Sequence, residues 1–450
     1  MRTRDMTEGR PARLIMLVAL PLMLGNVFQQ LYTVVDAAVV GRGIGVDALA
    51  ALGSSDWLNW MWLSVIQGLA QGFSIAIAQS FGAKQFDELR RCMGSSVVLG
   101  AALALALTAA ALVTARPILR LLGTPAEILP MGAAYLTTLF LGMPVVMAYN
   151  LLAGALRAFG DGRSPLLAMV VASLLNIALD VLFVVGLGFG VVGAATATVI
   201  AQACAAGYCL MKLRGLDFMR LSRSDFQLEG RRALRLMRLG VPVSLQNGVI
   251  AVGGMIVQTV VNPMGVAFIA GYTATNKLYG LLELAAISYG YAMSTYAGQN
   301  YGAGRADRIR EGVRTGLWLG VATAVVIAGL MFALGRGILG LFMDPRADTA
   351  RSMAIACEYL YLMSACLPVL YVLHVLRSSL QGMGDTVMPM VSGLAEFCMR
   401  TGSALLLPAL IGYRGVFYAE VLAWLGADII LLAGYFRARR TRLRANQTAL

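Results

Sequence analysis

The sequence predicts an all-α integral membrane protein of about twelve transmembrane helices, arranged as two parallel six-helix repeats. Three observations carry that expectation. Of 450 residues, 59% are hydrophobic and only 13% charged, where soluble domains carry about 25% charged residues. Apolar runs of about 20 residues or more, enough to cross a bilayer, follow one another along the whole chain. A polar turn in the first half also returns in the second. Ala78-Gln79-Ser80-Phe81-Gly82-Ala83 is matched by Gly298-Gln299-Asn300-Tyr301-Gly302-Ala303, with Asp87 and Arg90 echoed by Asp307 and Arg310.

The predicted spans are 14–41, 48–80, 93–115, 130–156, 165–187, 191–211, 236–262, 266–299, 313–335, 352–380, 387–411 and 415–436. The charged N-terminus runs straight into the first span with no small-residue cleavage site, so that helix is expected to be an anchor. Most of the 36 Lys and Arg gather in the N-terminus, the even-numbered loops and the C-terminus. Cytoplasmic segments collect such residues, so both termini are expected in the cytoplasm, and the net charge of +13 reflects topology rather than a nucleic-acid partner. The Arg-rich stretch after the sixth span divides the chain into 1–213 (N-lobe, spans 1–6), 214–235 (cytoplasmic linker) and 236–450 (C-lobe, spans 7–12). Further matches across it pair Gly160-Asp161 and Pro165 with Gly384-Asp385 and Pro389, and Pro21 and Asn26 with Pro242 and Asn247. Six spans per half make the repeats parallel, with a substrate site expected between them. Six cysteines without CxxC spacing read as small buried hydrophobes.

Asp36 is the outstanding residue of the first span. A carboxylate at membrane depth costs about 2.5 kcal/mol or more and marks an ion or substrate path more often than a structural contact. Gln29, Tyr32 and Asp36 stand at i, i+3 and i+7, so one stripe of the helix is polar. Pro21, earlier in the same helix, removes a backbone donor and provides a hinge. Asn176 and Asp180 are i, i+4 on the fifth span, with Asn150 on the fourth and Thr198 on the sixth available as neutral ligands. Two carboxylates sharing a dry pocket repel, and one is driven to take a proton. Alternatively, carboxylate, amide and hydroxyl oxygens at Asp36, Asp180 and Asn176 can surround Na⁺.

In the second half, Glu396 and Arg400 are i, i+4 and are expected to form a structural ion pair. Glu283, Glu420 and Asp428 show no evident partner; Glu283 is the candidate contact for a cationic substrate. Lys277 and Arg400 are taken as the cations within the spans. His374, the only histidine, reads either as a buried neutral imidazole or as a proton relay. Gln29, Met255 and Met293 are candidates for an adaptable cleft surface, although methionines at such positions serve packing equally well.

Taken together, the first helix to Gly41-Arg42, the turns Gln79 to Ala83 and Gln299 to Ala303, Leu156-Arg157-Ala158-Phe159-Gly160-Asp161, and Gly190-Val191-Val192-Gly193-Ala194-Ala195-Thr196-Ala197-Thr198 resemble the multidrug and toxic compound extrusion (MATE) family. The resemblance implies N- and C-lobes around a V-shaped central cleft. It implies an antiporter, coupled to H⁺ or Na⁺, that exports organic, cationic or amphipathic compounds by alternating access from a multi-pass position in the cytoplasmic (inner) membrane. It also implies a cation-coupling site in the N-lobe at Tyr32, Asp36, Asn150, Asn176, Asp180 and Thr198. Other branches carry acids on the seventh and tenth spans, where this chain has Gln246, Asn247, Gln258 and His374. The expected partners are a small organic substrate and membrane lipid, with no cofactor beyond the coupling ion, and a monomer is expected.

The alternative on the same fold is a flippase for lipid-linked saccharides, whose phosphates call for more cations in the spans than these. A membrane-embedded enzyme is the remote alternative. The sequence holds no Walker-type loop, no His-Glu-x-x-His and no Gly-x-Ser-x-Gly, and one histidine makes no triad; it is expected not to be an enzyme.

Overall fold

A computed structural model describes residues 3–340 and 349–448, with side chains described except at 31, 32, 34, 46, 349 and 442–448. The apolar runs fold as helices, and among the described residues there is no strand. In the first half these are α1 (Pro11–Gly43), α2 (Val46–Gly82), α3 (Phe86–Leu121), α4 (Leu129–Leu141), α5 (Met143–Ala158), α6 (Arg163–Asp180) and α7 (Gly190–Arg214). The second half holds α8 (Gly230–Val261), α9 (Val266–Gly302), α10 (Ala306–Gly340), α11 (Thr349–Gly382), α12 (Val387–Ile411) and α13 (Arg414–Thr448). Among the described residues ten helices are long and apolar enough to span a bilayer, and the bent pair α4–α5 makes eleven. Helix α9 reaches the same length with a less apolar composition and completes twelve.

The fourth span bends by 46° between α4 and α5. Pro144 in the first turn of α5 has no N–H to continue the ladder, and a side chain at Gly142 would collide with Val199 of α7. The fifth span leaves regular α-helix after Asp180 and continues as a π turn over Val181–Gly186, a widening common at functional positions.

The repeated Gly-Asp motif has a backbone cause. Gly160 and Gly384 hold φ of +73° and +79°, a left-handed turn that costs glycine nothing. The aspartate that follows caps the next helix: Asp161 Oδ1 accepts from the Arg163 and Ser164 N–H groups, both at 3.0 Å, and Asp385 Oδ1 from Met388 N–H at 3.3 Å. All six cysteines are free; Cys92 and Cys209 are buried as expected, but Cys204 and Cys398 lie on the outer surface of their helices.

Two compact units emerge, and they are not the two halves of the chain. One comprises Met1–Asp5 and Leu20–Gly248, the other Met6–Ala19 and Val249–Leu450. The chain passes from one unit to the other inside α1, one residue before Pro21, and again inside α8, six residues after Pro242. The first unit therefore keeps the linker and the first part of α8. There, Gly68 and Gly72 of α2 meet Ser244 and Gly240 of α8 backbone to backbone, where any side chain would collide. Arg232 forms a two-pronged pair with Glu88, at 3.2 and 3.1 Å, and Arg235 donates to Gln79 at 3.0 Å. In the second unit the repeat-equivalent Gln299 accepts from Met6 N–H at 2.7 Å, while Asn300 donates to the Met6 carbonyl at 3.1 Å.

The linker turn Arg223–Phe226 is held by a capping box in which Asp225 Oδ2 accepts from the Ser222 N–H and hydroxyl, each at 2.7 Å. Burial pushes the Asp225 carboxyl up, but these bonds and the nearby Arg90 and Arg91 more than reverse this and hold it below the ordinary aspartate range. A lowered folded-state value stabilises above the unfolded pKa and is lost as pH falls through the folded one. The protection factor for hydrogen exchange across 214–229, taken against the intrinsic rate at each pH, is therefore expected to hold at neutral pH and to fall below about pH 4. Asp225→Ala should remove that protection at neutral pH, at a local cost of about 1 kcal/mol, and should converge with the wild type where the carboxyl is protonated.

Candidate functional site

Asp36 lies on α1 and Asp180 at the last residue of α6, both in the first unit. They are 8% and 0% exposed, and Asn176, one turn before Asp180, is 1% exposed. The Asp36 and Asp180 carboxyl groups stand within side-chain hydrogen-bond reach of each other. One oxygen on each, Oδ1, is shut off from the surface and has no hydrogen-bond partner. Two ionised carboxylates cannot rest at that separation without repulsion, whereas one shared proton turns the contact into a hydrogen bond.

Asn176 ties the pair to α7. With its amide oriented so that both polar atoms are satisfied, it donates to Asp180 Oδ2 at 3.2 Å and accepts from the Thr198 backbone N–H at 3.3 Å. The Thr198 hydroxyl donates to the Ala194 carbonyl at 3.2 Å. Beside this cluster is a half-open cavity, with about 380 Å³ of empty space counting the open solvent at its mouth, whose polar lining is Gln29, Tyr149, Ser173, Asn176, Thr198 and Gln202. Asn176 and Thr198 thus belong both to the carboxylate cluster and to the cavity wall. None of the residues lining the cavity carries a formal charge.

Of the residues singled out from sequence, Asp36, Asp180, Asn176 and Thr198 come together, and Gln29 lines the adjoining cavity. Asn150 donates one amide N–H to the Val146 carbonyl of its own helix at 2.9 Å, and its neighbour Tyr149 lines the cavity. The Tyr32 side chain lies outside the described residues. Helix α1 continues through Pro21. Ser173 and Gln202 were not singled out, although the signal was present: Ser173 is i−3 from Asn176, and Gln202 is i+4 from Thr198.

The second unit corrects the reading of its charges. Glu420 has a partner, Arg400, at 2.9 Å, and Glu283 lies 3.8 Å from His374. Arg377 is a third intramembrane cation on α11, 7% exposed and bonded to Glu396 at 2.6 Å. With the Glu396–Arg400 contact at 2.8 Å, the expected pair becomes a ladder of Arg377, Glu396, Arg400 and Glu420. Met255 is half-buried on α8, while Met293 is fully buried against Gly316 of α10, a packing position with no surface left for a ligand.

Twelve hydrophobic helical rods, a repeated architecture and a buried acidic pair beside a polar cavity define a multi-pass membrane transporter. The MatE family model matches residues 21–182 and 242–402, one stretch in each half. The chain belongs to that family, the multidrug and toxic compound extrusion transporters. It is 32% identical to the probable multidrug resistance protein YoeA of Bacillus subtilis, over 74% of this chain and 73% of the relative. It is also 29% identical to the probable multidrug resistance protein YpnP of the same organism, over 92% and 93%. A solved MATE structure in complex with MaL6 superposes over the whole of both chains with a TM-score of 0.90 at 22% identity, a likeness of fold.

Proposed function

We propose that this chain is a proton-coupled exporter of organic compounds that works by alternating access from the cytoplasmic membrane. The observation that carries the reading is the pair of buried, partnerless carboxylate oxygens on Asp36 and Asp180, within reach of each other and joined through Asn176 and Thr198 to a cavity wall. The unprotonated pair is repulsive and favours an arrangement in which the carboxyls separate or meet a cationic substrate. Proton entry from outside removes the repulsion, restores the contact and releases the substrate outward. Pro21, adjoining the boundary between the units within α1, lets the helix bend as that contact forms and breaks.

Na⁺ is the second reading, favoured by the amide and hydroxyl oxygens of Asn176 and Thr198 beside the two carboxylates; hard cations take such oxygen ligands. Among the described residues no group of three or more His, Cys, Asp or Glu stands ready for a metal. The deciding experiment is dye transport by purified protein in proteoliposomes under separately imposed proton and sodium gradients. Under the proton reading a pH gradient alone drives transport, and a sodium gradient at equal pH does not. The reverse result overturns proton coupling in favour of Na⁺, and transport under neither gradient overturns coupled export.

A further inference from the structure

The two halves of the chain repeat one basic helix start, and only the first copy is covered. In the first unit the linker lies across the start of α3. Arg90 Nη1 donates to the Phe218 carbonyl at 3.4 Å, and Asp225 stands within electrostatic reach of Arg90 and Arg91. Gly94 makes room for this, since a side chain there would collide with the Asp225 backbone. In the register that matches Asp87 and Arg90 to Asp307 and Arg310, Gly94 falls opposite Arg314 of α10. Arg310 gives Nη1 to Asp307 at 3.0 Å and stays 33% exposed. Arg314 is exposed and forms no ion pair among the described residues. The place that the linker fills on one unit is thus bare on the other, with an arginine standing in it.

Helix α13 enlarges the patch. Its end carries Arg437, Arg439 and Arg440, all exposed, and 429–450 holds no acid. Arg439 is one turn beyond Tyr435, and both Arg439 and Arg310 stand within electrostatic reach of that phenol, so the two helix ends share one basic surface. Trp318, one turn on from Arg314, is 69% exposed, and Phe436 is 53% exposed. An exposed Trp beside Arg near the end of a spanning helix belongs at the membrane–water interface, where phospholipid headgroups are the anions at hand. From this we infer that an anionic phospholipid headgroup docks on Arg310, Arg314 and Arg439 of the second unit, supplying the negative partner that the linker supplies to the first. A phosphodiester offers two oxygens to a guanidinium fork, and its acyl chains have Trp318 and Phe436 to lie against. A zwitterionic lipid brings its own ammonium group, which the arginines repel.

The test titrates the full-length protein in detergent with dioleoylphosphatidylglycerol or dioleoylphosphatidylcholine, reading bound lipid by native mass spectrometry and the unfolding temperature alongside. The wild type is expected to retain phosphatidylglycerol saturably and to unfold at a higher temperature with it, and to do neither with phosphatidylcholine. Arg314→Gln/Arg439→Gln should weaken phosphatidylglycerol binding about thirtyfold, at about fivefold for each arginine near an anionic surface, with the lipid-free unfolding temperature unchanged. Lys212→Gln/Arg214→Gln removes the same charge from the end of α7 in the first unit and should leave binding as it was. Equal binding of the two lipids, or equal losses in the two double variants, would show diffuse attraction only and overturn the inference. Glycerophosphoglycerol, the headgroup without its chains, should not raise the unfolding temperature at the same concentration; if it does, the patch is a site for soluble anions and the lipid assignment is overturned. Should the Arg314/Arg439 variant not fold, Arg439→Gln alone replaces it, with an expected loss of about fivefold.

Discussion

Asp36→Asn is expected to abolish gradient-driven efflux while leaving the protein folded. Asparagine reproduces the shape of a protonated aspartate and cannot ionise, so the substituted pair is fixed in the loaded arrangement. The coupled step then loses its free-energy source. One pH unit is worth about 1.4 kcal/mol, roughly tenfold accumulation of a cation exchanged for one proton; for an uncharged substrate the charge crossing 100 mV adds about 2.3 kcal/mol, together roughly 500-fold. Without ionisation at Asp36 either factor should fall to about one, read as dye accumulation in proteoliposomes under an imposed gradient. Stability is expected to move the other way. Asp36 is buried beside Asp180 with an oxygen that has no partner, so neutralising it removes repulsion, and the thermal unfolding temperature in detergent should hold or rise. If Asp36 only glued helices together, the signs would be reversed: efflux retained and stability lost. Full gradient-driven efflux by Asp36→Asn would therefore end the coupling proposal.

Much of this site was legible because its clues are one-dimensional. A carboxylate inside an apolar run stands out by composition, and Asn176 and Asp180 share a helix face by spacing alone. The turns Gly160-Asp161 and Gly384-Asp385 could be found by repetition, though only the structure shows why they recur: a left-handed glycine followed by an aspartate that caps a helix. The fate of Asn150 was not legible, because an asparagine in a helix can turn outward or bond the carbonyl four residues back, and sequence does not choose between them. Arg377 escaped notice for a related reason. It stands near the end of an apolar run, where a long cation usually reaches for water, and it is buried only because Glu396 of α12 arrives beside it. Contacts between helices far apart in the chain leave no periodic trace.

That ladder yields the largest expected effect on stability. Glu396 lies between two guanidinium groups, bonded to Arg377 at 2.6 Å and to Arg400 at 2.8 Å, and all three residues are buried. Glu396→Leu would leave Arg377 without its carboxylate and Arg400 with Glu420 alone. Removing one partner from a buried ionic group costs about 3–5 kcal/mol, because the remaining charge is stranded away from water. The expected result is a steep fall in unfolding temperature and in the yield of folded protein. The double variant Arg377→Leu/Glu396→Leu removes one charge of each sign and leaves the Arg400–Glu420 pair, at 2.9 Å, balanced. Replacing a buried pair by apolar groups of similar volume is near neutral, so the double variant should recover most of the loss. Recovery should stop short of complete because Asp428, within electrostatic reach of Arg377, loses that cation too. A single variant as stable as the wild type, or a double variant no better than the single, would show that charge balance is not what holds these helices. The coupling proposal makes a further demand on the recovered double variant: with Asp36 and Asp180 untouched in the other unit, dye transport per proton gradient should match the wild type.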